Sequence, residues 1–376
     1  MPVYLDNNAT TPLNPDVLEA MMPYMTGLYG NPSSVHRYGR LTRDALEQAR
    51  IQVANLVGAQ PKEVIFTSGG TEANNLAICG GLGANSVKSH FAISAIEHAS
   101  LSAPAKLMAE QGWQLNSIPV DTQGRVTEAA LQASLLDNSQ LVSIMAANNE
   151  TGVLQNLNAL VESAKLINRN VLFHTDACQM AAKMPLNFAQ LKLDLMSLSS
   201  HKLYGPLGAG ALVVASHVDL TPQIVGGGQE RQKRSGTQNL PAIVGFGAAA
   251  KLAMSNLQQR QSAMLALQTQ LQTHLSAMQG VSIFSQNVAR LPNTLMFAID
   301  GIDGEALLMQ LDRKGFAVSS GSACDSAKTD PSHVLLAMGI EPLTARGAIR
   351  VSVGEQNTSE DVQQFIAALT EIKQQL

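Results

Sequence analysis

A chain of 376 residues has room for two domains, or one large one, around a substantial buried core. With 45% hydrophobic and 14% charged residues it is too apolar to be disordered, and a net charge of -4 without a basic block argues against a nucleic-acid partner. No apolar run reaches the roughly 18 residues that span a bilayer, and residues 1–6 lack a charged region ahead of an apolar stretch, so no membrane is expected and the expected compartment is the cytoplasm.

In chain order, short apolar runs alternate with helical stretches from residue 64 to residue 215. Strands are predicted at 64–67, 91–93, 141–145, 171–174, 194–198 and 211–214, with helices at 72–78, 101–111 and 157–168 between them. Unbroken apolar strands separated by helices read as βαβ units, hence a mostly parallel sheet covered on both faces. Residues 241–278, rich in Ala, Leu and Gln, are predicted as one or two helices leading onward. Strands at 294–299, 316–318 and 349–353 and helices at 304–314 and 359–375 follow. The expected division is a large α/β domain over 15–250 and a smaller α/β domain made of 1–14 and 251–376.

The three cysteines form no CxxC pair and are odd in number, which argues against a disulfide framework and a structural zinc site. Cys79, in an apolar run, and Cys178, in an apolar strand context, read as small buried hydrophobes. Cys324 differs. Ser319-Ser320-Gly321-Ser322-Ala323-Cys324-Asp325-Ser326 surrounds it with small polar residues suited to a mobile, exposed loop over about 319–331, where a reactive thiol is expected.

Ligands of open α/β sheets gather at the carboxyl ends of the strands, so the polar residues just after each apolar run matter most. They are Thr67-Ser68-Gly69-Gly70-Thr71-Glu72, Glu97-His98, Asn148-Asn149-Glu150-Thr151-Gly152, His174-Thr175-Asp176-Ala177-Cys178-Gln179 and Ser199-Ser200-His201-Lys202. Glycines feeding a helix start suit a phosphate, a weak signal alone. A lysine after an apolar strand can form a Schiff base with an aldehyde cofactor, and an Asp on a neighbouring strand would keep a pyridine nitrogen protonated. Lys202 and Asp176 thus suit pyridoxal phosphate, and equally suit a satisfied core ion pair.

Those segments, with Leu5-Asp6-Asn7-Asn8-Ala9-Thr10-Thr11-Pro12, Gly30-Asn31-Pro32-Ser33-Ser34, Arg234-Ser235-Gly236-Thr237 and Ser320-Gly321-Ser322-Ala323-Cys324, resemble the cysteine desulfurases of the NifS/IscS type. The resemblance runs from residue 3 to about residue 354. It implies a fold-type I pyridoxal-phosphate enzyme of the class-V aminotransferase family, with a seven-stranded sheet in the large domain. It further implies Lys202 as the Schiff-base lysine and proton shuttle, Asp176 at the pyridinium nitrogen and Gln179 at the phenolic oxygen. His98 would stack on the ring and relay protons, and Asn149 would help hold substrate and cofactor. Gly70, Thr71, Ser199 and His201 would hold the phosphate, and Thr237 would reach it from a second subunit, which implies a homodimer with shared sites. Arg350 would receive the α-carboxylate of L-cysteine; taken alone it also reads as a surface strand charge, with Arg346 its nearest competitor.

Cys324 would take the substrate sulfur as a persulfide and pass it to an acceptor, an iron–sulfur scaffold or a thiolation protein, leaving L-alanine. The competing readings are a selenocysteine lyase or other β-lyase on the same scaffold, and a sulfur-relay protein without turnover. Two departures from the resemblance stand out. Ser200 occupies a position that is Gly or Ala in many relatives and is expected to add a hydroxyl near the phosphate, and the C-terminal tail is short, which bears on partner docking.

Overall fold

The structure, a computed structural model, describes residues 2–84, 87–320 and 330–375. Strand β1 (Val3–Tyr4) opens the chain, and strands β2 (Val64–Thr67), β3 (His90–Ser94), β4 (Gln114–Ile118), β5 (Ser139–Ser143), β6 (Leu172–Asp176), β7 (Leu195–Ser199) and β8 (Gly210–Val214) form one sheet in the order β2-β8-β7-β6-β5-β3-β4. Only β8 runs antiparallel to its neighbours.

Alternate side chains of these strands enter two different cores, which is why the strands read as continuous apolar runs. Phe66, Val142, Met196 and Val213 join Leu46, Ala49 and Val53 of the helix Arg37–Leu56. Their sequence neighbours Ile65, Leu141, Leu195 and Leu212 face Leu76, Leu101 and Ala105 on the opposite side. Strand β4, absent from the sequence reading, is an edge strand, Gln-Leu-Asn-Ser-Ile, with mostly uncovered residues and no apolar run to betray it. The helix expected over 72–78 begins at Gly70 and passes into a π turn over Leu76–Gly80.

The second half of the chain adds β9 (Val281–Ile283), β10 (Thr294–Ile299), β11 (Phe316–Ala317), β12 (Ser319–Ser320) and β13 (Ile349–Ser352). An antiparallel sheet has the order β12-β13-β10-β9, and β1 lies parallel to β11. The expected strand at 316–318 is therefore two short strands serving two sheets.

A single helix, Leu240–Ser276, joins the two parts. Its Ile243, Phe246 and Ala250 belong to the large-sheet core, and Met264, Leu271 and Leu275 to a core with Leu295, Phe297, Val351 and Phe365. A Cβ on Gly247 would lie 2.6 Å from the Cα of Ala49, so glycine is what lets this helix approach Arg37–Leu56. By length and composition the helix could cross a membrane, with a window of mean hydropathy 1.3, and half of that window is buried inside the protein.

Candidate active site

The carboxyl ends of β2, β3, β6 and β7 converge on a cavity of about 410 Å³, closed on its other side by the N-terminal segment and β13. Ten of the predicted residues line it: Gly70, Thr71, His98, Asn149, Asp176, Gln179, Ser199, His201, Lys202 and Arg350. Thr237 is exposed and outside this lining. Cys324 lies outside the described residues, and Ser319, five positions before it, lines the cavity and pairs in register with Arg350.

Asp176 ends β6 near the middle of the sheet. One carboxylate oxygen accepts from the Cys178 amide at 2.9 Å and the other from Asn74 Nδ2 at 2.7 Å. His98 caps the helix Ala99–Glu110, its Nδ1 accepting from the Ser100 amide at 3.1 Å. A neutral ring held this way carries its proton on Nε2. Burial first, with Lys202 and His333 adding to it against Asp176, lowers the His98 pKa and favours that neutral state. His201, on the turn Ser200–Lys202, is pushed down to about 4 by burial and by Lys202.

Lys202 Nζ donates to the carbonyl oxygens of Asn8 at 2.6 Å and Ala9 at 2.7 Å, so the N-terminal segment is fastened to it. Gln179 Nε2 donates to the same Asn8 oxygen at 2.9 Å. On the far side Arg350, 4% exposed, donates to Asp6 Oδ1 at 2.6 Å and to the Asn149 carbonyl at 3.0 Å. It is thus a buried group of the cavity and not a surface strand charge, whereas Arg346 is exposed and lines a separate pocket.

The donors fit a phosphorylated pyridine aldehyde. Ser199 Oγ is buried without a hydrogen-bond partner among the described residues, and a Cβ on Gly70 would lie 2.8 Å from Cys178 Sγ and 3.5 Å from Ser199 Cβ. A small cradle with an unpaired hydroxyl, beside a lysine and a carboxylate, matches the polar groups of such a molecule. Ser200 corrects its expectation: it is fully buried, outside the cavity lining, and its hydroxyl occupies the space a Gly205 side chain would need. Cys178 is buried as expected but lines the cavity, and burial, then Asp176, raises its thiol well above the usual range, keeping it protonated. Cys79 is half-buried against the second core, its thiol also raised by burial.

Residues without an assigned role in the sequence reading complete the site: Asp6, Asn8, Asn74 and Lys183. Asp6 and Asn8 sit inside a motif already singled out, just after the short strand Val3–Tyr4, and Asn74 lies on the helix Gly70–Asn75, two residues past another. Lys183 gave no signal beyond its spacing of four from Gln179.

The class-V aminotransferase profile matches residues 3–365. Cysteine desulfurase IscS of Methanosarcina thermophila is 40% identical over 375 residues, covering 100% of this chain and 92% of that protein. The chain belongs to the cysteine desulfurases. Among solved structures, a NifS-like protein superposes with a TM-score of 0.94 at 36% identity, covering 100% of both chains. SspA in complex with cysteine superposes at a TM-score of 0.84 and 31% identity, over 95% of this chain and 100% of the other. The desulfurase assignment therefore covers the whole architecture, all three described sheets included.

Proposed function

We propose that this desulfurase holds pyridoxal 5'-phosphate in the cavity, converts L-cysteine to L-alanine there, and keeps the sulfur as a persulfide on Cys324 for transfer to an acceptor protein. One observation carries the reading: Lys202, Asp176, Gln179, His98 and Arg350 line a single cavity whose buried Ser199 hydroxyl has no partner among the described residues. Bound through Lys202, the cofactor supplies an electron sink that weakens the substrate's Cα–H bond. Asp176 would keep the ring nitrogen protonated, Gln179 would bind the phenolic oxygen, and Gly70, Thr71, Ser199 and His201 would hold the phosphate. Arg350 and Asn149 take the substrate's carboxylate side. Lys202 would move the Cα proton, and His98, neutral by burial, would accept the proton of the substrate thiol.

The same reading makes residues 15–250 the cofactor-binding domain, and 1–14 with 251–376 the small domain that carries Cys324. It also makes the protein a cytoplasmic homodimer. Thr237, exposed and outside its own cavity, would serve the partner's phosphate, and the exposed Met25, Tyr29, Val35, Tyr38 and Val225 would give such a dimer an apolar face. The acceptor would be an iron–sulfur scaffold or a thiolation protein.

Cys324→Ser tests the sulfur step. The variant should keep its cofactor and bind L-cysteine, and lose persulfide formation, because a hydroxyl is a weak nucleophile that cannot store sulfur in this form. The measurement pairs alanine and sulfide assays with trapping of the persulfide by an alkylating reagent. Parent-rate alanine production by Cys324→Ser, with selenide released equally well from selenocysteine, would turn the reading to the lyase.

A further inference from the structure

Lys183 is a buried lysine, 5% exposed, with no place in the chemistry above. It stands outside the cavity lining, seven residues past Asp176, at the end of a turn in which Ala182 takes a left-handed φ of 67°. A non-glycine residue held there is strained and persists where its surroundings demand it. Its ammonium donates to Gln179 Oε1 and to Asn8 Oδ1, both at 2.9 Å.

Each of these amides has its orientation fixed by acceptors that cannot donate. The Asn8 carbonyl takes a hydrogen from Gln179 Nε2, so Oε1 is the atom left facing Lys183. The Asn149 carbonyl takes a hydrogen from Asn8 Nδ2 at 3.1 Å, so Oδ1 of Asn8 is turned to Lys183 and to Asn293 Nδ2 at 3.0 Å. Lys183 thus satisfies two buried amide oxygens whose amides face the cavity and the segment that holds Lys202. Burial, then Lys202 and Arg350, lower its pKa well below the usual range, and charged or neutral it has a hydrogen for each oxygen.

We infer that Lys183 is a positioning residue: by donating to Gln179 Oε1 it locks and polarises the Gln179 amide, so that Nε2–H is a strong, fixed donor toward the cavity. Hydrogen bonds in series strengthen one another in a water-poor interior, so removing the donor behind Gln179 weakens the one in front of it. This inference rests on the reading that the cavity binds pyridoxal phosphate with its phenolic oxygen at Gln179. A weaker donor there leaves more negative charge on that oxygen, which holds a neighbouring proton more tightly.

The test titrates the visible band of the bound cofactor with pH and measures the dissociation constant of pyridoxal 5'-phosphate from the protein. Lys183→Met should move the band's midpoint up by about half a unit or more and weaken cofactor retention by about tenfold, since Gln179 Oε1 loses its donor and Asn8 Oδ1 keeps only Asn293. In a Gln179→Ala background the same substitution should leave the midpoint where Gln179→Ala alone puts it. A midpoint and dissociation constant unchanged in folded Lys183→Met, or a full shift that persists without Gln179, overturns the inference. If Lys183→Met does not fold, Gln179→Ala decides: a raised midpoint supports the inference, and an unchanged one leaves Lys183 nothing to act through and overturns it. Wild-type protein that takes up no pyridoxal phosphate would instead sink the cofactor reading itself.

Discussion

The wall of the cavity built by the large sheet and the wall built by the small sheet face the same space with different groups left over. On the large-sheet wall Asp176 is engaged on both oxygens, while the buried Ser199 hydroxyl has no partner among the described residues. On the small-sheet wall Arg350 already has Asp6 and the Asn149 carbonyl, and its buried Nε has no partner among the described residues. The first wall offers neutral donors to an anion and a fixed carboxylate to a cation; the second offers a guanidinium whose charge is partly answered. A doubly charged phosphate suits the first, and a single carboxylate that shares the arginine suits the second. The N-terminal segment ties the two together, since Asn8 holds Lys202 and Asp6 holds Arg350.

If the walls divide labour in this way, damage to each has its own signature. Lys202→Ala strikes the large-sheet wall and should give the largest effect, a fall in turnover of roughly 10²–10⁴-fold or more, because attachment and proton transfer go together. The phosphate cradle survives, so the circular dichroism spectrum and non-covalent uptake of cofactor should persist. Ordinary alanine production by the folded variant would break the comparison at its centre.

Arg350→Ala strikes the other wall. Here KM for L-cysteine should rise roughly 10- to 150-fold, the range for one hydrogen bond to a charged group, while cofactor affinity stays near the parent value. Steady-state kinetics and equilibrium dialysis read the two quantities separately. A matching loss of cofactor affinity would mean that the walls cannot be told apart.

The two walls also differed in how legible they were. Strands β2, β6, β7 and β8 are buried on both faces, so their apolar runs and the polar residues that end them stood out, and Asp176 and Lys202 followed from position, while Ser199 and His201 gained their roles only through the resemblance. The edge strand β4 has polar residues where a buried strand would be apolar, and it was missed. On the small-sheet side β11 and β12 are two residues each, too short to carry a period, and Arg350 could not be told from a surface charge until the fold buried it. Lys183 was invisible for a further reason. Its partners, Asn8 and Gln179, are 175 positions away and four positions away, and only the fold brings both within reach of one ammonium.

Glu150 gives the finest test, because it lies where the walls meet. It follows Asn149, is fully buried, and its carboxyl accepts the hydroxyl of Ser332, whose neighbours Val334 and Leu335 pack with Met145 and Met296. Burial raises its pKa from 4.5 to about 7, against the opposing pull of Ser332 and Arg350. Between those two values the folded protein keeps a proton that the unfolded chain has released, so stability falls as pH rises through the window and is level above it. The histidines shifted down by burial, His174 and His201, act in the opposite sense at the acid end of the same range, so the wild-type curve alone would blur the effect. Comparison with Glu150→Gln removes them. Relative to that variant, the wild type should lose about 3 kcal/mol between about pH 5 and pH 8, a separation of several degrees in Tm for a chain of this size. Thermal melts of both proteins at the two pH values measure it, and parallel curves would show that Glu150 ionises freely and that the seam between the walls is wetter than its burial indicates.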